Sequence, residues 1–571
     1  MKKKLFFAYA AMLLMAIFAC SEKKNHFRRP LTSPEALSKL NESFEKHIEQ
    51  VSEGIYVAIG YGLANSILIE GEDSVVIIDC MESMQAAEKV RKSFLNITRK
   101  PICAIIYTHH HPDHIFGAMA IAGNHKPNVY AHELMPYYLD QTASVVRPVL
   151  EKRSYRMFGL YLPEDALINC GIGPRLNIDH HASIGVIRPN ITFKDSLSVQ
   201  LAGIQFKLYH APGETPDHLM VWLPDRKIIF CGDNLYKNFP NLYTIRGTPY
   251  RDVNLWKKSI DRMRYLHPEI VVPSHTMPIY GADSIQKILT DYRDAIQYVH
   301  DQTVRGMNAG LTPDELAEQV ILPAHLQQSP YLQEFYGKTA WSVRSVFDGY
   351  MGFFDGNPTN LLPLSKKVRA AKIEQLAGGK EALWQQIQKA HQEKDDQWVL
   401  ELTDVFLELY PDHEQVKNIR FEALTRLGEQ QANPNARHYY LTCALELKGL
   451  QLQELLKPTQ EMAHHIPLEA IFNGMAVRLN PDKSINTNQT ALFRFTDTGE
   501  EWTIQVRRGV AEVQPFAFGK PDIIIRTKST VWKELAAGLR KPAAAYLAGE
   551  INVDKGQLEF LSFLRLFDIE D

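Results

Sequence analysis

The stretch Ile102-Cys103-Ala104-Ile105-Ile106-Tyr107-Thr108-His109-His110-His111-Pro112-Asp113-His114 joins an apolar run to a dense set of metal-binding side chains. Such a run, bounded by Arg99-Lys100 and by a polar cluster, predicts a buried strand that ends in a loop. His109 and His111 are two apart, so on extended backbone their imidazoles project to the same side. Pro112 favours a turn, after which Asp113 and His114 follow. Imidazole and carboxylate together suit zinc, with iron or manganese as the alternatives.

Placed after an apolar strand, His109-x-His111-x-Asp113-His114 resembles the signature of the metallo-β-lactamase fold, and the wider chain resembles its alkylsulfatase branch. From about residue 51 the pattern alternates. Gly54 to Tyr61, Ala64 to Glu70 and Ser74 to Asp79 read as strands, and Ser83 to Phe94 as a helix. Val129 to Ala131, Ser198 to Ala202, Gln205 to His210 and His218 to Leu223 read as further strands. Residues 134 to 160 read as a polar helical insertion that covers substrate. Donors at strand ends fit an αββα sandwich, with ligands collected on one edge of the sheets.

The resemblance implies further ligands, each in a loop after an apolar run: Glu214 in Ala211-Pro212-Gly213-Glu214-Thr215, Asp233 in Phe230-Cys231-Gly232-Asp233-Asn234, and His275 in Val271-Val272-Pro273-Ser274-His275. Most of the superfamily carries His where Glu214 stands; alkylsulfatases carry Glu. The implied centre holds two Zn2+ per chain, one at His109, His111 and Glu214 and one at Asp113, His114 and His275. Asp233 bridges them, replacing the family's Glu. Paired cations lower the pKa of a shared water and clamp an oxyanion, so the expected reaction is hydrolysis, with Asp113 and Asp233 as the catalytic carboxylates. His110, His180, His181, His464 and His465 fit no ligand slot and read as surface or structural.

Asn241-Leu242-Tyr243-Thr244-Ile245-Arg246-Gly247, followed by Arg251-Asp252 and Trp256, is similar to the sulfate-binding stretch of alkylsulfatases. Arg246 and Arg251 offer planar forks that match a tetrahedral oxyanion, and Asn241, Tyr243 and Thr244 complete the candidate substrate site. For Arg251 a salt bridge with Asp252 is the competing reading. The family has a His before the Asn, a proton donor there; this chain has Pro240. His218, Tyr236 and Lys237 are the replacements nearest in sequence.

Around this core, 571 residues are too many for one ordinary domain. Hydrophobic residues at 45% and charged residues at 23% are globular values, and a net charge of -3 leaves no basic footprint for nucleic acid. Met1-Lys2-Lys3-Lys4, an apolar stretch from Leu5 to Phe18 and Ile17-Phe18-Ala19-Cys20 read as a lipoprotein signal. Cleavage before Cys20 and acylation of its thiol would export the chain and anchor it to a membrane, on the periplasmic or outer-membrane side in a bacterium. Cys80, Cys103, Cys170, Cys231 and Cys443 remain, an odd set that predicts no disulfide framework, with Cys80, Cys103 and Cys231 as buried thiols.

Beyond residue 280 helical periodicity takes over. Gly352-Phe353-Phe354-Asp355-Gly356-Asn357-Pro358 resembles the family's junction to a dimerisation domain, and Glu381 to Leu409, Gln415 to Leu427 and Arg437 to Leu447 read as its helices. The last residues alternate strands and helices in an α+β module resembling a sterol-carrier domain with an apolar pocket. The expected division is signal peptide 1–19, tether 20–50, catalytic domain 51–355, helical domain 356–455 and sterol-carrier-like domain 456–571. The whole implies a homodimeric hydrolase of alkyl sulfates. Hydrolysis of a lactam, carboxylic ester or phosphate ester by the same fold, and lipid binding without catalysis, are the alternatives.

Overall fold

The structure is a computed structural model that describes residues 33–456 and 458–569. The signal-peptide reading and Cys20 lie outside the described residues. Among those residues no helix is long and apolar enough to cross a membrane.

Strand Ile102–Ile106 lies inside a seven-stranded sheet, between Val75–Ile78 and Asn128–His132, and pairs in parallel with both. Helix Met84–Leu95 covers one face of this sheet through Ala86, Ala87, Val90 and Phe94. The other face packs on a six-stranded sheet, where Ile78, Ala104 and Ile106 meet Phe206, Val221 and Phe230. With both faces covered, the strand reads as a continuous apolar run rather than an alternating one. Each fully buried Ile contributes about 1.5–3 kcal/mol. Helices Val253–Tyr265 and Ala282–Asn308 cover the second sheet with Trp256, Met263, Tyr292 and Ile296, which closes the αββα sandwich. His47–Ser52 and Ile191–Phe193, the two outermost strands of the first sheet, were not legible beforehand; their burial is only partial, and so is their apolar signal.

The insertion consists of helix Met135–Asp140, a π-turn at Gln141–Val145 and helix Arg147–Phe158. It is tied to all three parts of the chain. Arg156 makes a bidentate pair with Glu446 of the helical region, at 2.8 Å for both bonds, and Arg147 pairs with Glu454 and donates to the Leu456 carbonyl. Arg153 donates to the Ile245 carbonyl of the catalytic part.

The expected single helical stretch from Glu381 to Leu409 is two helices, Lys380–Glu393 and Asp396–Leu409. Lys394 takes a left-handed backbone with φ 60°, and the Asp395 side chain caps the second helix at Trp398 N. An N-cap Asp satisfies an orphan N–H, so the local polar pair outweighs continuous periodicity. In the last part, a five-stranded sheet is backed by Leu468–Ala476, Ser529–Ala536 and Phe560–Arg565. Its interior is aromatic: Phe472 stacks on Trp502 at 5.0 Å and 6°, and Phe493 meets Trp532 at 4.7 Å. All five described cysteines are free; Cys80, Cys170 and Cys231 are buried, whereas Cys103, expected buried, is only partly so, as is Cys443, each packing against the edge of a hydrophobic cluster.

Candidate metal centre

Four loops that leave strand ends converge. Pro112 opens a single helical turn, Pro112–Ile115, with His111 as its N-cap, and this turn swings Asp113 and His114 back toward His109 and His111. Asp79 anchors the arrangement from the end of Val75–Ile78. Its carboxylate accepts from Thr108 N (2.9 Å), Thr108 Oγ1 (2.8 Å) and Ser274 Oγ (2.8 Å) and holds His114 Nδ1 at 2.7 Å. His275 Nδ1 donates to the Leu63 carbonyl at 2.8 Å. With each Nδ1 committed, His114 and His275 aim Nε2 at the same point.

There the two Nε2 atoms lie 3.4 and 3.1 Å from Asp233 Oδ2 and 3.6 and 3.5 Å from Asp113 Oδ2. On the other side of Asp233, His109 Nε2 stands 3.8 Å from Oδ2 and 2.8 Å from His111 Nδ1. Asp113, His114 and His275 thus form one group, and His109, His111 and Asp233 another, with ligand atoms in each within 4.8 Å of one another. Glu214 is adjacent rather than inside: its Oε1 is 4.0 Å from His111 Nδ1 but 2.9 Å from Arg251 Nη1. Loop packing keeps it close, since Asn234 accepts from Glu214 N and donates to the Ala211 carbonyl, while Trp256 Nε1 donates to the Asn234 carbonyl.

Burial pulls the His109 and His111 imidazoles well below their usual range, with neighbouring His114 and His109 respectively adding to it, so both keep a lone pair for a cation. Burial also acts on His114 and His275, yet the Asp233 and Asp113 carboxylates outweigh it and raise both. Burial pushes Asp233 up, but His275 and His114 hold it well below the carboxylate range. Glu214 is pushed up to about 7 by burial, against the pull of Arg251. His114 Nε2, Glu214 Oε2 and Asp233 Oδ1 are buried with no hydrogen-bond partner in the protein. Three unpartnered donors of electron pairs, together with imidazoles and carboxylates on both sides of Asp233, fit divalent cations.

A cavity of about 730 Å³ opens over the cluster, bordered by Asp113, Glu214, Asp233, Tyr243 and Arg246 and walled by apolar side chains including Val149, Leu150, Phe158 and Ile178. Arg246 Nη2 reaches 2.9 Å from His111 Nε2. Of the candidate substrate residues, Tyr243 and Arg246 border the cavity, whereas Asn241, Thr244 and Arg251 are buried behind it. Arg251 pairs with Glu214, and Asp252 instead caps the next helix at Asn254 N and Leu255 N. None of the three proposed stand-ins for a proton donor is placed to give one: His218 Nε2 accepts from Asp233 N and burial draws that ring down to about 4, Tyr236 OH accepts from Asn241 N inside the core, and Lys237 is exposed.

His110, His180, His181, His464 and His465 lie outside both groups, but His110 is neither exposed nor remote. Its Nδ1 meets Asp217 Oδ1 at 2.7 Å, its ring stacks on Tyr138, and it borders the cavity. Asp79 and Tyr336 were missed in the sequence. Asp79 carried a signal, an acidic residue closing an apolar strand, whereas buried Tyr336 enters the cavity wall from an irregular segment with no motif.

Comparison with known proteins matches residues 59–275 to the metallo-beta-lactamase superfamily, residues 312–449 to the alkyl sulfatase dimerisation family and residues 457–571 to the alkyl sulfatase C-terminal family. A linear primary-alkylsulfatase of Pseudomonas sp. is 34% identical over 523 residues, 88% of this chain and 98% of the relative. An alkyl/aryl-sulfatase of Saccharomyces cerevisiae is 26% identical over 91% of this chain and 82% of its own. The solved structure of a stereoselective inverting sec-alkylsulfatase from Pseudomonas sp. superposes with a TM-score of 0.86 at 24% identity, covering 94% of this chain and 86% of that one, a likeness of fold.

Proposed function

Because the chain belongs to the alkylsulfatases of the metallo-beta-lactamase superfamily, we propose that it hydrolyses sulfate esters of alkyl alcohols at a dinuclear zinc centre. The observation that carries this reading is the placement of Arg246, a permanent cation beside His111 where an apolar cavity meets the cluster. A sulfate head and an alkyl tail need those two surroundings side by side. Arg246 and Tyr243 hold the sulfate, and Val149, Leu150 and Phe158 take the chain and exclude water. His109, His111 and Glu214 would hold one ion and Asp113, His114 and His275 the other, with the Asp233 carboxylate available to both groups. Two such ions, when bound, supply Lewis-acid stabilisation of the ester and lower the pKa of water.

The region matched to the dimerisation family exposes Phe353 at 86%, Leu362 at 90% and Leu376 at 87%, apolar surface that a second copy would cover in a homodimer. The Lys-rich start, the apolar run and Cys20 support export as a lipid-anchored protein. A panel of primary alkyl sulfates, matched alkyl phosphates and a β-lactam tests the activity. Sulfate release that is abolished by a chelator and restored by zinc is the expected result, and turnover confined to phosphates or lactams would overturn it.

A further inference from the structure

We propose that Arg251 is a positioning residue for Glu214, and that it sets how tightly the ion at His109 and His111 is held relative to the ion at Asp113, His114 and His275. The inference rests on the two-ion reading above.

The two halves of the cluster are braced by different means. In one, Asp79 holds His114 and the Leu63 carbonyl holds His275. In the other, Glu214 receives its side-chain anchor from one guanidinium. Arg251 is 2% exposed, and its Nη1 lies 2.9 Å from Glu214 Oε1 and donates to the Asn241 carbonyl at 2.5 Å. The backbone beyond it is pinned, because Asp252 caps helix Val253–Tyr265. Unlike Tyr243 and Arg246, Arg251 stays out of the cavity wall. Holding Oε1 leaves Oε2, buried and unpartnered, as the atom of Glu214 free to meet a cation. Partners that orient a ligating carboxylate are worth about 10–100-fold in metal affinity. Arg251 restrains the carboxylate through Nη1 alone, shared with the Asn241 carbonyl, so the restraint depends on where that one nitrogen sits.

The test equilibrates full-length protein with a series of chelator-buffered free zinc concentrations and counts bound metal by mass spectrometry, with alkyl sulfate kinetics measured in parallel. Wild type should bind two ions in two steps. In Arg251→Met the weaker step should shift about 10–100-fold toward higher free zinc while the tighter step stays in place. Arg251→Lys, which keeps the charge and serves if the Met variant folds poorly, should lie between the two. Glu214→Gln should reproduce the Arg251→Met shift, and the double variant should add little to it. Unchanged zinc steps together with a raised KM would assign Arg251 to the sulfate and overturn the proposal. A weaker step that tightens in Arg251→Met would mean that the guanidinium competes with the ion. Wild type binding fewer than two ions would overturn the two-ion reading itself, whatever the variants do.

Discussion

The sandwich and the C-terminal part both place a sheet under helices, yet they bury opposite things. At the strand ends of the sandwich, His114, Asp233 and Glu214 lie inside the protein with atoms that find no partner. In the C-terminal part, Phe472, Trp502, Phe493 and Trp532 fill the interior with packed rings, Phe472 stacked on Trp502 and Phe493 tilted against Trp532. Buried polar groups without partners oppose folding, whereas buried aromatic area favours it. The first region keeps that destabilising chemistry because the apolar strands and helices behind it, from Ile105 to Trp256, hold the loops in place.

The contrast breaks hardest at Asp113. Asp113→Ala should remove the ion at His114 and His275 and lower turnover about 10³-fold, with thermal unfolding little changed; full turnover by metal-depleted variant would refute the dinuclear reading. In the aromatic interior the reverse is expected. Phe472→Ala should cost about 3–5 kcal/mol of stability in denaturant unfolding while bound zinc per chain stays at the wild-type value. Arg246→Lys tests the head-group end of the cavity: kcat/KM for alkyl sulfates should fall about 10–100-fold, since an ammonium does not reproduce the bidentate fork, and full efficiency in the variant would reduce Arg246 to a local charge.

The smallest effect concerns the seam between regions. His438, on helix Pro434–Leu447, is buried against Met157, and burial draws its ring from 6.5 down to about 3. Between those values the unfolded chain binds the proton that the folded chain refuses, so this contribution to stability rises with pH. Acidification below 6.5 should therefore destabilise the protein by up to about 1.4 kcal/mol per pH unit. His438→Gln should flatten the slope of unfolding midpoint against pH; an unaltered slope would place the acid sensitivity elsewhere.

Legibility followed the range of the interactions. The strand Ile102–Ile106 and its loop could be read from a local apolar run with donors just past its end, whereas the later loops with Glu214, Asp233 and His275 were singled out by the order that the resemblance to alkylsulfatases implies. The break at Lys394-Asp395 was hidden by apolar periodicity that continues through it, and the partial burial of His47–Ser52 blurred its pattern. Arg251 illustrates the limit. Its place in the motif suggested a sulfate or Asp252, while the partner it takes is Glu214, 37 positions earlier along the chain.

By itself, then, the sequence determined the alternation of strands and helices and the chemical types of the donors, because hydrophobic periodicity and turn residues act over neighbouring positions, and its motifs, through their resemblance to alkylsulfatases, implied the fold class and the order of the catalytic, helical and C-terminal parts. Only the tertiary structure decided that Asp79 orients His114, that Tyr336 and His110 border the cavity, that Asn241, Thr244 and Arg251 lie behind it, and that Glu214 answers to a guanidinium. Those pairings depend on which loops meet at the edge of two packed sheets. That meeting is set by the summed packing of distant side chains, for which no local stretch of sequence carries the information.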